Sequence, residues 1–336
     1  MRYNDRMSHA VPSLTVEVEH WPIAGSFTIS RGAKTQAEVV VAELFDGHHR
    51  GRGECVPYER YNETVDDVVA AIHGMQEAVA LGLTREALQT KMAAGAARNA
   101  LDCAFWDLEA KRAGRPVHEL AGLAAPHAVT TAYTISLGSP DAMAAATAKA
   151  AGRALLKIKL GNTNDAARIA AVRGAAPDAE LIADANEGWT ADNIAENLAA
   201  CTKVGVTLIE QPLPANDDDA LVNVSRPLPI CADESVHGIS SLSALVGKYD
   251  AVNIKLDKTG GLTEALAIAQ EAERLGFTIM VGCMVATSLA MAPAMLLAQR
   301  ARIVDLDGPL LLARDRADGL VYEDSRVHPP TPALWG

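Results

Sequence analysis

No apolar run in this 336-residue chain approaches the roughly 18 residues needed to cross a bilayer, and its opening, MRYNDRMSHAVP, lacks the apolar centre of a signal peptide. Residence in the cytoplasm is the expectation. The five cysteines (Cys55, Cys103, Cys201, Cys231, Cys283) are odd in number and show no CxxC spacing. That argues against a disulfide framework and a thiolate zinc site, and leaves reduced, mostly buried thiols. Basic residues are scarce: 30 Lys and Arg stand against 42 Asp and Glu, a formal charge of −12. Nucleic acid and anionic membrane are therefore not expected partners, since both reward clustered positive charge. The nine histidines include no HExxH, and His48 and His49 lie in DGHHRGRG, which reads as a hairpin turn. No GxGxxG or GxxxxGK[ST] follows any apolar segment, so a doubly wound open sheet lacks its usual signature.

What is present is ample core material: 49% of residues are hydrophobic and 21% charged. The length suits a β/α barrel of about 250 residues plus one further module. Early in the chain, LTVEVEHWPI and AEVVVAELF alternate like strands around the polar loop SFTISRGAKTQ. From about Val65 to Leu120 the spacing turns helical, as in AARNALDCAFWDLEAKRAG. Beyond Val129 strand and helix alternate: VTTAYTI, ALLKIKL, ELIADAN, VTLIEQP, LPICADE, AVNIKL, TIMVGCM and IVDLDG, separated by Ala-rich helical stretches. The expected fold is α/β: a modified (β/α)7β TIM-like barrel with an N-terminal α+β capping domain. The expected division is 1–125 for the cap, 126–310 for the barrel and 311–336 for a segment returning to the cap. The polar stretch before Leu14 matches nothing functional.

Nearly every barrel segment ends in an ionisable residue: Lys159, Asp184, Glu210, Asp233, Lys255 and the pair Asp305/Asp307, in steps of about 25 residues. Strand alternation puts Lys157 on the same face as Lys159, and Asn186 on that of Asp184. Any one of these acids could be a helix cap, and a lone lysine could snorkel from a strand end. Three carboxylates at consecutive strand ends, with no His or Cys beside them, instead suit a hard cation, Mg²⁺ or Mn²⁺, with Asn186 and Glu234 just outside its ligands. Lys159 and Lys255, on opposite sides of the mouth, suit proton removal from one face of a carbon and delivery to the other. A barrel lysine can also form a Schiff base, which leaves a metal-free aldolase open. Lys258, in the loop KTGG, reads as solvated.

These motifs resemble the enolase superfamily. The KxK of Lys157 and Lys159, the three acids and NIKLDKTGG around Lys255 resemble its muconate-lactonizing-enzyme subgroup. So do RGAKTQAEVVV, GECVPYERYNET, AGAARNALDCAFWDL, IEQPLP and ADES, and the DxD of Asp305 and Asp307 resembles the dipeptide epimerases. The resemblance implies that Asp184, Glu210 and Asp233 bind Mg²⁺ and that the metal holds the α-carboxylate of a dipeptide. It implies that Lys159 and Lys255 exchange the α-proton through an enediolate, interconverting L-Ala-D-Glu and L-Ala-L-Glu in murein peptide recycling. Asp305 and Asp307 then receive the α-ammonium, Arg31 the glutamate side chain, and Thr134, Cys283 and Met284 line the pocket. Other dipeptides, or a cycloisomerase or o-succinylbenzoate synthase reaction, remain alternatives. Members of the superfamily commonly self-associate, which leaves a homo-oligomer open.

Overall fold

The computed structural model describes residues 11–161 and 163–336, so most of the polar leading stretch lies outside the described residues. Strands β1 (Ser13–Ile29), β2 (Gly32–Phe45) and β3 (Arg50–Cys55) form an antiparallel sheet in sequence order. Helix Ala96–Ala113 packs across β3 and ends where Gly114 turns left-handed. The approach is close because β3 offers glycine there: a Cβ on Gly51 or Gly53 would collide with the helix backbone at Ala104 or Ala100. Gly53→Val is therefore expected to destabilise the protein by ~1–3 kcal/mol or more, read as a lowered midpoint in urea unfolding.

After the short strand β4 (Val129–Thr130) come eight parallel strands: β5 (Tyr133–Ile135), β6 (Leu155–Lys159), β7 (Glu180–Asp184), β8 (Val206–Glu210), β9 (Ile230–Ala232), β10 (Ala251–Ile254), β11 (Thr278–Val281) and β12 (Ile303–Val304). They lie side by side in chain order. The first and last meet through Ala132 N–H donating to Val304 O at 2.8 Å, which closes the barrel. Seven helical links were expected. The link between β8 and β9 is instead a 3₁₀ turn, Asp219–Val222, among the described residues. Pro212, Pro214, Pro227 and Pro229 bracket that link; each lacks an N–H and biases the residue before it away from helix.

The barrel interior is stacked in layers. Ala132, just before β5, and Leu155, Ile182, Leu208, Cys231, Ala251, Met280 and Ile303, one from each of the other seven strands, form an apolar plug. Two residues further along, on the same face, the eight positions become Thr134, Lys157, Asp184, Glu210, Asp233, Asn253, Gly282 and Asp305. Polarity thus changes in a single step across the whole barrel.

Side-chain bonds tie the cap to this barrel. Asp257 accepts from Val56 N–H (3.0 Å) and Asn99 Nδ2 (2.9 Å), while Arg98 donates to the carbonyls of Thr259 (2.8 Å) and Gly260 (3.1 Å). The C-terminal stretch then returns. A hairpin, β13 (Tyr322–Glu323) and β14 (Arg326–Val327), pairs with β4. Ala313 N–H donates to Pro22 O (2.8 Å), buried Trp335 donates to Cys103 O (3.0 Å), and Gly336 N–H reaches Asp107 (2.8 Å). No helix among the described residues is long and apolar enough to cross a membrane.

Candidate active site

A cavity of about 960 Å³ lies between the cap and the C-terminal ends of the strands. Ile23, Phe27, Arg31, Lys34 and Tyr58 line it from the cap; Thr134, Lys157, Lys159, Asn186, Asp233, Glu234, Lys255, Cys283, Met284, Asp305 and Asp307 line it from the barrel. Every site residue expected from the sequence thus borders this space except Asp184 and Glu210, which are fully buried beneath it.

Lys157 is the centre of the floor. Its Nζ stands 2.6 Å from Glu210, 2.7 Å from Asp305 and 3.3 Å from Asp184. Burial would lower its pKa, but these three carboxylates hold it well above the lysine range. Lys159 pairs with Asp184 at 2.6 Å, and Lys255 with Asp233 at 2.6 Å. Burial opposes the charged form of Lys255 too, yet Asp233 and Glu210 keep its pKa raised. β6, which ends in Lys159, and β10, which leads directly into Lys255, are separated by three strands in either direction round the barrel. The lysines therefore face each other across the mouth.

Lys258 corrects the sequence reading. It is not solvated: only 3% exposed, it donates to Asp233 Oδ1 (2.6 Å), Asp233 O (2.5 Å) and Asn253 O (3.0 Å). Sequence reasoning also passed over Asn253, which donates to Glu210 at 2.7 Å. The alternation rule that paired Lys157 with Lys159 would have found it, since Asn253 is two residues before Lys255. Gly282 makes room for it: a Cβ there would lie 2.6 Å from Asn253 Oδ1.

Six buried carboxylates (Asp184, Glu210, Asp233, Glu234, Asp305, Asp307) stand with four buried lysines around this mouth. The excess shows in their titration. Burial and the Asp184 charge push Glu210 up to about 7, and burial and the Asp305 charge do the same to Asp307 although Thr134 N–H donates to it at 2.6 Å. Burial also raises Glu234, but for Asp184 and Asp233 the adjacent lysines overcome it and hold the carboxyls low. Buried oxygens without a hydrogen-bond partner cluster here: Asn186 Oδ1, Glu234 Oε2, Asn253 Oδ1 and Asp305 Oδ1. Oxygen donors with surplus negative charge fit a hard divalent cation. Among the described residues no three acidic, His or Cys side chains converge into a ready coordination sphere, because Asp233 turns to Lys255 and Lys258 while Asp184 and Glu210 share Lys157.

Arg31, at the β1–β2 turn, spends four of its five N–H donors on the protein: Asn186 O (2.9 Å), Glu187 (3.2 Å), Tyr58 (3.0 Å) and Glu234 (2.7 Å). Lys34, 5.8 Å above the Tyr58 ring in the same cavity, has no ion pair among the described residues. Glu187, absent from the sequence reading, anchors both cap loops. It accepts two 2.7 Å bonds from Arg60, one from Arg31 and one from Ala215 N–H (2.8 Å). Asn186 and Glu187 both have positive φ, 45° and 63°, strain that aims their groups at the loops. Each charged bond contributes about 1.5–3 kcal/mol. Glu187→Ala is expected to raise KM roughly tenfold or more with a smaller change in kcat, since closure over the cavity weakens. Steady-state kinetics would check it.

A closed β/α barrel with opposed lysines over buried carboxylates, under an α+β cap, is the architecture of a known class. Residues 141–333 match the family described as Enolase C-terminal domain-like, and residues 12–122 match the Mandelate racemase / muconate lactonizing enzyme, N-terminal domain. The chain belongs to this branch of the enolase superfamily. It is 50% identical over 318 residues to the L-Ala-D/L-Glu epimerase of Escherichia coli K12, covering 94% of this chain and 99% of that one. It is 44% identical over 300 residues to the N-acetyl-D-glutamate racemase of a Pseudoalteromonas species (89% and 95% covered). Among solved structures, an enolase family member from Agrobacterium tumefaciens with homology to dipeptide epimerases, holding sodium and L-Ala-L-Glu with an ordered loop, superimposes with a TM-score of 0.95. It is 57% identical and covers 97% of this chain and 100% of that one.

Proposed function

We propose that this protein is an isomerase, a dipeptide epimerase that interconverts L-Ala-L-Glu and L-Ala-D-Glu in the recycling of murein peptides. The observation that carries the reading is the pair of acid-bonded lysines, Lys159 and Lys255, facing each other across one cavity beside Asp305 and Asp307. Asp184, Glu210 and Asp233 would hold Mg²⁺, or Mn²⁺, with Asn186 and Glu234 beside them. When bound, the cation supplies Lewis-acid stabilisation of negative charge on the substrate carboxylate. Lys159 takes the α-proton from one face while the Lys255 ammonium delivers a proton to the other, and the roles reverse for the opposite epimer. Lys157 keeps a positive charge under the reacting carbon. Asp305, through its unpartnered Oδ1, and Asp307 receive the α-ammonium. Arg31 and Lys34 form the positive rim for the glutamate side chain, with Thr134, Cys283 and Met284 as walls.

A second reading has its own support. The similarity to an N-acetylglutamate racemase, and the neutralisation of Asp305 by Lys157 at 2.7 Å, suit a substrate acylated on nitrogen. Proton NMR in D₂O with Mg²⁺, beside a chelated control, decides between them. Loss of the glutamate α-proton from L-Ala-L-Glu with appearance of L-Ala-D-Glu supports the dipeptide. Turnover of N-acetylglutamate alone replaces it, and silence on both overturns the epimerase reading.

A further inference from the structure

Asp233 lies one residue beyond the end of β9, where the strand ladder no longer holds its backbone. The Gln211 side chain takes over. Its Oε1 accepts from Asp233 N–H at 2.8 Å and from Ser235 N–H at 3.1 Å. Its Nε2 donates to Leu213 O, Ser235 Oγ and Tyr249 Oη, each at 2.9 Å. The side chain is wholly buried, and the residue adopts a φ of +33°, a conformation that non-glycine residues hold only under compulsion. Behind it, Tyr249 Oη and Ser235 Oγ both donate to buried Asp218 at 2.7 Å, and Lys248 donates to the same carboxylate at 2.8 Å. The chain of bonds thus runs from the barrel surface to the amide of one acid at the mouth, and no partner in it except Asp233 itself lines the cavity.

We infer that Gln211 is a positioning residue for the metal site: its amide extends the β8–β9 ladder by one rung and fixes the backbone from which Asp233 reaches inward, with Ser235, Tyr249 and Asp218 bracing it. The inference rests on Asp233 being a ligand, as proposed above. Gln211 follows Glu210 directly, so one short segment sets two of the three acids. Loss of the amide leaves the N–H groups of Asp233 and Ser235 without acceptors and frees the backbone from which the Asp233 carboxylate is aimed. Groups that orient a ligand in this way typically contribute 10–100-fold in metal affinity.

The test is Mg²⁺ binding itself, by calorimetry and by the Mg²⁺-dependent rise in melting temperature, on wild type, Gln211→Ala, Gln211→Glu and Asp233→Asn. Gln211→Ala is expected to bind Mg²⁺ about 10–100-fold more weakly, with KM for the dipeptide near wild type once Mg²⁺ saturates, and Gln211→Glu, which keeps acceptors for both N–H groups and loses only the donor bonds, to be weakened less. A merely structural glutamine would lower the metal-free melting temperature and leave the Mg²⁺ dissociation constant alone; a constant within threefold of wild type in folded Gln211→Ala overturns the inference. Should both Gln211 variants fail to fold, Tyr249→Phe, which removes one acceptor from the amide, must weaken Mg²⁺ binding by a smaller factor or the brace is refuted. A wild type that binds no Mg²⁺, or an Asp233→Asn variant that binds as tightly, overturns the metal-site reading first and the inference with it.

Discussion

Epimerisation is expected to fall by about 10²–10⁴-fold in Lys159→Ala and again in Lys255→Ala, with the fold retained in both. The fold should survive because neither deletion strands an acid. Without Lys255, Asp233 keeps Lys258 at 2.6 Å, and without Lys159, Asp184 keeps Lys157 at 3.3 Å. The diagnostic result lies in exchange rather than turnover. With one base left, only the epimer whose α-proton faces that lysine should trade it for deuterium, and it should do so without inverting. Following each epimer separately by NMR in D₂O would expose this asymmetry, and full epimerisation by either variant would end the two-base mechanism. Lys157→Ala should behave differently, leaving Glu210, Asp305 and part of Asp184 uncompensated in the floor. Stability should drop by ~3–5 kcal/mol before any catalytic question arises.

Chelation is expected to bring α-proton exchange down to background, and added Mg²⁺ or Mn²⁺ to restore it. The reason is charge. A lysine acts as a base only when neutral, yet six buried acids already outnumber the four buried lysines. Asp233 and Glu210 hold the Lys255 ammonium above its ordinary pKa, so without other positive charge this lysine releases its proton only at high pH. Positive charge on those carboxylates acts in the opposite direction and lowers the Lys255 pKa toward neutrality. Residual exchange in the chelated protein should accordingly climb with pH through and beyond the lysine range, whereas the Mg²⁺-loaded protein should reach its plateau earlier. Undiminished exchange after chelation would mean that the acids serve the lysines alone.

The strand ends were legible because two independent patterns coincide there. Short apolar runs mark the strands, and an ion at the end of such a run is costly unless other ions meet it. Alternation did the rest for Lys157, Lys159, Asp305 and Asp307. It failed where a local context mimicked something ordinary. KTGG looks like a solvated loop, and nothing local shows that Lys258 folds back under Asp233. Glu187 and Gln211 lie just beyond the ends of β7 and β8, in NEG and EQP, and only backbone turns with positive φ send their side chains to remote partners. The commitment of Arg31 to Glu234, Glu187 and Tyr58 was equally hidden, because those partners lie 203, 156 and 27 positions away. The missing helix between β8 and β9 was more accessible: four prolines in the link were visible in the sequence.

The returning C-terminal stretch also sets a timetable. The cap sheet and helix Ala96–Ala113 precede the barrel in the chain, but Gly336 reaches back across 229 positions to Asp107, and Trp335 across 232 to Cys103. Such long loops close late, since their entropy must be lost before the contact repays it. A nascent chain can complete its cap core early and still lack the fastening that presses the cap onto the barrel. The active site, whose walls come from both, is therefore complete only once these distant contacts have closed, so a partly folded chain exposes its clustered lysines and carboxylates to water rather than to substrate.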